Sequence, residues 1–289
     1  MSLPPPREPL QIDLAGKIVL VTGATGGLGQ AIARACAERG ATVVLHGRVV
    51  RKLEALYDDI RNAGGAEPMI LPLDFLQAGA ADFHAAASAL QTQLGRLDAL
   101  VHTAAFLGSL GPVEHQSFDR WLEVLRVNVA AAMGLTRAMV PALGKSPDAS
   151  VTITLDTRGM APRAYWGAYA VAKAGLHAFA ATLADEWEHR PLRVNAIVPG
   201  PIRSPLRTLT HPGEDKSVLP TPVDLVPLYL HLVCGQAKRD SGVCIDAHAW
   251  LTGAPAVTPL VDPHVAMSPL SQVEGEAAGP SEAPASDRP

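Results

Sequence analysis

Short apolar runs alternate along this chain with longer stretches in which apolar positions recur every three or four residues. Ile18-Val-Leu-Val-Thr22 is the first such run, and it opens directly into a glycine-rich segment. An alanine-rich stretch of helical period continues to about Arg39 and stops at Gly40. Thr42–His46 reads as a second strand, and Arg51 to about Asn62 as a helix ended by Gly64-Gly65. Met69–Asp74 and Leu97–His102 are further strands on either side of a helical segment at Ala80–Leu94. A long helix is expected over about Phe118–Leu143 and a strand over Ser150–Leu155; another helix and a strand at Leu192–Val198 follow. Strands that are apolar throughout, separated by long helices, specify a parallel sheet buried on both faces. Right-handed crossovers make it a doubly wound α/β fold. One such domain is expected from Gln11 to Gly253, behind a flexible segment of residues 1–10. From Ala254 to Pro289 the chain is mostly Pro, Ala, Ser, Gly and Glu. It has too little apolar surface to offset its ordering entropy, so a disordered tail is expected there.

Composition removes several classes of function. The 289 residues are 48% hydrophobic and 18% charged, enough for one large α/β core. A net charge of −4 without a basic cluster speaks against a nucleic-acid partner. Cys36, Cys234 and Cys244 lack metal-ligand spacing and cannot all pair within one chain, which points to a reduced, cytoplasmic setting. The ten histidines are scattered, so no metal is expected. The start lacks the apolar core of a secretory leader, and no stretch free of charge and proline is long enough to cross a bilayer.

The candidate chemistry gathers where strands end. Thr22-Gly-Ala-Thr-Gly-Gly-Leu-Gly29 lies between the first strand and its helix. Gly23, Gly27 and Gly29 allow a tight turn and close approach to a pyrophosphate, with Thr25 and Leu28 in the same turn. The helix N-terminus beyond supplies free N–H groups and positive dipole. The second strand ends His46-Gly47-Arg48, with no acidic residue for ribose hydroxyls. Arg48, with Arg51 near it, can pair with a 2′-phosphate instead, which favours NADP over NAD. Asp74, followed by Phe75, is placed to accept from an adenine amino group.

Tyr169 and Lys173 stand four residues apart on one helix face, and Asp156 lies thirteen residues before the tyrosine. A neighbouring ammonium favours the phenolate and is expected to draw Tyr169 down toward a useful acid–base range. These motifs, with Asn128 and the run Arg193-Val-Asn-Ala-Ile-Val-Pro-Gly200, occur in an order and spacing that resemble the short-chain dehydrogenase/reductase family over Gln11–Ala249. Trp166-Gly-Ala-Tyr-Ala and Pro222-Val-Asp-Leu-Val-Pro-Leu-Tyr-Leu230 further resemble a bacterial subgroup of uncharacterised oxidoreductases. The resemblance implies a Rossmann-like fold and NAD(P)-dependent oxidoreduction of a small molecule. It implies Tyr169 as proton donor and Lys173 as its partner against the nicotinamide ribose. Asn128 would hold a water leading to Lys173, while Pro199, Gly200, Ile202 and Ser204 would contact the nicotinamide. A homodimer or homotetramer, paired through the long helix and the Tyr169 helix, is implied as well.

Two departures qualify this picture. Asp156 occupies the place of the usual catalytic serine. An ionised carboxylate only accepts hydrogen bonds, and it would repel the oxyanion that carbonyl reduction develops. Protonated, it would regain a donor; ionised, it could hold an N–H-bearing substrate, as in pteridine reductases, which resemble this chain at that position and reduce a ring C=N. Thr154 or Thr157 could otherwise supply a hydroxyl, although strand alternation turns only one neighbour inward. The second departure is His102-Thr-Ala-Ala105, where the family usually has Asn-Asn-Ala-Gly; Ala105 narrows the adenosine side. The segment from Ser204 to Pro220, with Arg207, His211 and Asp215, is expected to face substrate without enclosing it. Two functions fit: an NADP(H)-dependent reductase of carbonyl, imine or pterin-like compounds, or an NADPH-binding scaffold or sensor with a degenerate active site.

Overall fold

The apolar runs become the strands of one sheet. The computed structural model describes residues 3–6, 12–235 and 240–261. In chain order its elements are β1 (Ile18–Thr22), α1 (Gly27–Ala37), β2 (Thr42–Gly47), α2 (Val50–Asn62), β3 (Met69–Pro72), α3 (Ala80–Leu94) and β4 (Ala99–His102). There follow α4 (Phe118–Leu125), α5 (Ala131–Leu143), β5 (Ala149–Thr154), α6 (Thr157–Met160), α7 (Gly167–Glu186) and β6 (Leu192–Val198). The chain continues through α8 (Pro205–Thr210), α9 (Pro222–Val233), β7 (Val243–Asp246), α10 (Ala247–Leu251) and β8 (Val257–Pro259).

The strands form an eight-stranded sheet in the order β3-β2-β1-β4-β5-β6-β7-β8. All neighbours are parallel except β7 and β8. Alternate strand residues serve opposite faces. In β1, Ile18 and Leu20 join a core with α3, α5 and α7, whereas Val19 and Val21 join one with α1, α2 and α9. Both faces are therefore covered, as a parallel sheet requires. Strand order reverses direction between β1 and β4, so the loops leaving those strands diverge and open a crevice at their C-terminal ends.

The expected long helix is interrupted. Arg126–Ala130 forms a π turn between α4 and α5, with Asn128 in it. The wider turn brings the Asn128 amide back onto the Val124 carbonyl, where Nδ2 donates at 2.8 Å.

Two expected boundaries change. The chain past Gly253 contributes β8, an antiparallel edge strand on β7, so the folded region reaches at least residue 261. Leu260 N donates to the Gly242 carbonyl at 2.7 Å and anchors it. The rest of the expected tail, from 262 on, lies outside the described residues. At the other end the buried Trp250 donates from Nε1 to the Pro4 carbonyl at 2.7 Å, so part of the segment expected to be flexible is tied to α10. Residues 1, 2 and 7–11 lie outside the described residues.

Candidate active site

One cleft of about 630 Å³ opens at the crevice beyond β1 and β4, within the range of small-molecule sites. Its floor is the glycine turn. Gly23 has φ +63°, a conformation that disfavours a side chain, and a Cβ there would stand 2.9 Å from the Ala104 Cα. A Cβ on Gly29 would collide with the Gly23 carbonyl oxygen, so this glycine keeps the turn closed on itself. A Cβ on Gly27 would make only ordinary contacts, with Pro222 Cγ at 3.7 Å and Pro205 Cδ at 3.9 Å. A closed loop with one bare backbone face toward the cleft is the cradle that a dinucleotide pyrophosphate requires.

The neighbouring strand ends hold that turn. Thr103 Oγ1 donates to the Thr22 carbonyl at 2.5 Å, and the Thr103 and Ala104 N–H groups donate to Thr22 Oγ1 at 3.1 and 3.2 Å. The threonine that replaces the usual asparagine thus preserves the link between β1 and β4. His46 Nδ1 accepts from Gly23 N at 3.2 Å, and the imidazole stacks on Phe75 at 4.1 Å between centroids. Burial holds His46 down to about 4 against partial opposition from Asp74, and holds His102 down to about 3. Arg48, Asp74 and Phe75 line the cleft here, and Ala105 lies exposed on its wall. Arg51 does not line it. Lys52 does, one helical position further along α2, and it was invisible to a reading that looked only at the strand end.

At the other end stand Tyr169 and Lys173 on α7, both buried, and Asp156 at the start of α6. Asp156 caps α6: its Oδ1 accepts from Arg158 N at 2.8 Å. Its Oδ2 accepts from the Tyr169 hydroxyl at 3.0 Å. The two groups meet because α6 lies against α7 at Gly159, where a Cβ would stand 2.5 Å from the Lys173 carbonyl carbon. Lys173 Nζ donates to the Thr154 carbonyl at 3.0 Å and lies 5.8 Å from the Tyr169 ring centroid.

The electrostatics correct one expectation. Tyr169 is not drawn down by Lys173; it is pushed well above its ordinary value by burial first, and then by the charge and hydrogen bond of Asp156. Lys173 is itself lowered to about 8 by burial, which Asp156 partly opposes. The phenol therefore keeps its proton at neutral pH.

Asn128, Thr154 and Thr157 are each engaged by neighbours. Both Asn128 N–H donors are taken by the Phe106 and Val124 carbonyls, and its Oδ1 accepts from Phe106 N at 3.1 Å. Asn128 does not line the cleft, and its side chain positions the loop after β4. The Thr154 hydroxyl is shared with Tyr229 at 3.0 Å on the α9 side, so it is engaged away from Tyr169. Thr157 Oγ1 lies 3.4 Å from Asp156 Oδ1. Gly23, Thr25, Gly27, Leu28 and Gly29 at the turn, and Pro199, Gly200, Ile202 and Ser204 after β6, line the same cleft.

Of the segment expected to face substrate, Ser204, Arg207 and Thr210 line the cleft, whereas Asp215 turns outward and accepts from Ser217 N. Arg158 and Trp166 complete this end. Nothing in their local sequence marked Arg158 beyond its place two residues after Asp156.

Comparison with known proteins agrees with this geometry. Residues 17–215 match the short chain dehydrogenase family. The chain is 38% identical over 240 residues to the uncharacterized oxidoreductase YciK of Escherichia coli K12, covering 83% of this chain and 95% of that protein. A short chain dehydrogenase from Salmonella enterica serovar Typhi superposes with a TM-score of 0.81 at 39% identity, over 83% of this chain and 99% of its own. A chain from E. coli CFT073, solved in complex with NADPH, superposes at 0.80 with 38% identity, over 83% and 99%. With its glycine turn, its buried tyrosine–lysine pair and this coverage, the chain belongs to the short-chain dehydrogenase/reductase family of oxidoreductases.

Proposed function

We propose that this protein is an NADP(H)-dependent reductase of a carbonyl or C=N group in a small molecule, with Tyr169 as the proton donor. The observation that carries the reading is the hydrogen bond from Tyr169 to Asp156 in the cleft that also holds the glycine turn and Arg48. When bound, NADPH supplies the hydride. Gly23, Gly27 and Gly29 would cradle its pyrophosphate, Arg48 and Lys52 its 2′-phosphate, Asp74 its adenine, and Pro199 to Ser204 its nicotinamide. The presence of NADPH in a relative 38% identical supports the choice of cofactor.

The chain's own residues then supply the proton. A phenol held well above its ordinary pKa keeps its proton at neutral pH, the form that reduction of a carbonyl or C=N group needs. Substrate that enters between Tyr169 and Asp156 receives the Tyr169 proton on its oxygen or nitrogen. The freed Asp156 Oδ2 is then an acceptor for a substrate N–H, which favours C=N and N–H-bearing compounds over simple ketones. Lys173, buried at the Thr154 carbonyl, stabilises the phenolate left behind. The same reading includes pairing of two copies through α4–α5 and α7, whose outer faces expose Phe118, Leu122, Met133 and Val171.

The test is a panel of quinones, aldehydes, ketones and dihydropterins, followed by NADPH absorbance. Tyr169→Phe should abolish NADPH oxidation on every active compound while calorimetric NADPH binding stays near wild type. Undiminished turnover in that variant would sink the proposal.

A further inference from the structure

We infer that the substrate carries a carboxylate and that Arg158 is the residue that anchors it. This deepens the function proposed above and rests on its assignment of the substrate end of the cleft. Three other cationic side chains line that end, and each is engaged: Arg120 with Glu123, Arg207 with Glu214, and Lys173 with the Thr154 carbonyl. Arg158 is different. Its backbone N–H serves Asp156, but among the described residues no carbonyl or carboxylate accepts from its guanidinium. The side chain forms no ion pair with the Asp156 carboxylate among the described residues and lies 4.8 Å over the Trp166 ring.

Trp166 is itself held in position at a local conformational expense. Tyr165, next to it, has φ +75°, which is sparsely populated for a bulky residue. Its carbonyl accepts from Gly111 N at 2.9 Å, and that bond fixes the turn. The His211 ring lies near Trp166, at 6.1 Å between centroids. A strained turn therefore supports an aromatic shelf, and the shelf supports the half-buried Arg158 in the lining of the cleft that holds Tyr169.

A guanidinium so placed offers planar paired donors that match a carboxylate. With Asp156 two residues away, the site has one acceptor for a substrate N–H near the reacting bond and one cation further out. The ligand class is a small aldehyde, ketone or cyclic imine that bears a carboxylate on the side away from the bond reduced.

The probes are 4-carboxybenzaldehyde and its methyl ester, which differ in one charge. Calorimetric binding to the NADP-loaded wild type should favour the acid by about ten-fold or more, as a charge-assisted hydrogen bond predicts. In Arg158→Gln the acid-to-ester ratio should fall to near one, and Arg158→Lys should retain part of it. Because the readout is a ratio within each variant, a general loss of stability does not mimic it. Equal wild-type affinities, no acid binding, or an undiminished ratio in Arg158→Gln would each overturn the anchor. The same compounds, assayed for NADPH oxidation, separate the two proposals. Reduction of both with a ratio near one keeps the reductase and discards the anchor. Preferential acid binding without oxidation of either keeps the anchor and counts against the reductase.

Discussion

Asp156 receives the Arg158 backbone N–H and, more distantly, the Thr157 hydroxyl on one carboxylate oxygen and the Tyr169 hydroxyl on the other. That arrangement helps to keep the tyrosine protonated and makes the position sensitive to substrate type. Asp156→Ser should raise turnover of simple ketones and lower turnover of C=N compounds, checked on the two classes side by side. A second prediction concerns His46 and His102, both buried and held below the ordinary 6.5, to about 4 and about 3. The folded chain refuses protons that the unfolded chain accepts once the pH falls below about 6.5. Their contribution to stability is therefore complete above that value and is lost as the pH falls toward their folded values. For His46 the shift corresponds to about 3 kcal/mol. His102→Asn removes one of the two, so its urea midpoint should fall less steeply between about pH 6.5 and pH 4 than that of wild type. The i to i+4 spacing put Tyr169 beside Lys173 in the sequence, but not the sign of the tyrosine's shift. That sign depends on burial and on a carboxylate brought across from the start of α6, neither of which a helix face records.

At the scale of elements, the glycine turn separates folding from binding. Gly29→Ala drives a methyl into the Gly23 carbonyl, which cannot move without opening the turn. Melting should show a loss of about 1–3 kcal/mol, and NADPH affinity should fall with it. Gly27→Ala has room for its methyl in the folded chain and stands in the first turn of α1, where alanine suits a helix. It should melt near wild type yet bind NADPH at least about ten-fold more weakly, because the methyl occupies the face that approaches the pyrophosphate. This turn was legible from sequence because strand, glycines and helix are adjacent in the chain. The π turn at Arg126–Ala130 was not, since the break shows only in the backbone pairing, where the Ala131 N–H reaches back five residues to the Arg126 carbonyl.

For the whole molecule, the sheet from β1 to β6 followed from apolar runs bounded by glycine and by helices of ordinary length. Its far edge did not. Val243–Asp246 is four residues long, and β8 sits in a Pro- and Ala-rich stretch whose composition reads as linker. What holds that edge is long-range pairing with β7, which local pattern does not carry. The link between Trp250 and Pro4 joins the two ends of the fold in the same way. Deleting residues 1–6 leaves a buried indole N–H without its acceptor, and chemical denaturation should show a loss of about 1–3 kcal/mol. Cleft, sheet and ends together place one acid, Tyr169, under the control of one carboxylate.

That control is read most directly from the pH profile of NADPH-dependent reduction in wild type and in Asp156→Asn, on one aldehyde or imine. The carboxylate raises both Tyr169 and Lys173, so removing its charge moves both the same way. The alkaline limb of the variant should lie below that of wild type. Coincident alkaline limbs would contradict the claim that Asp156 keeps Tyr169 an acid.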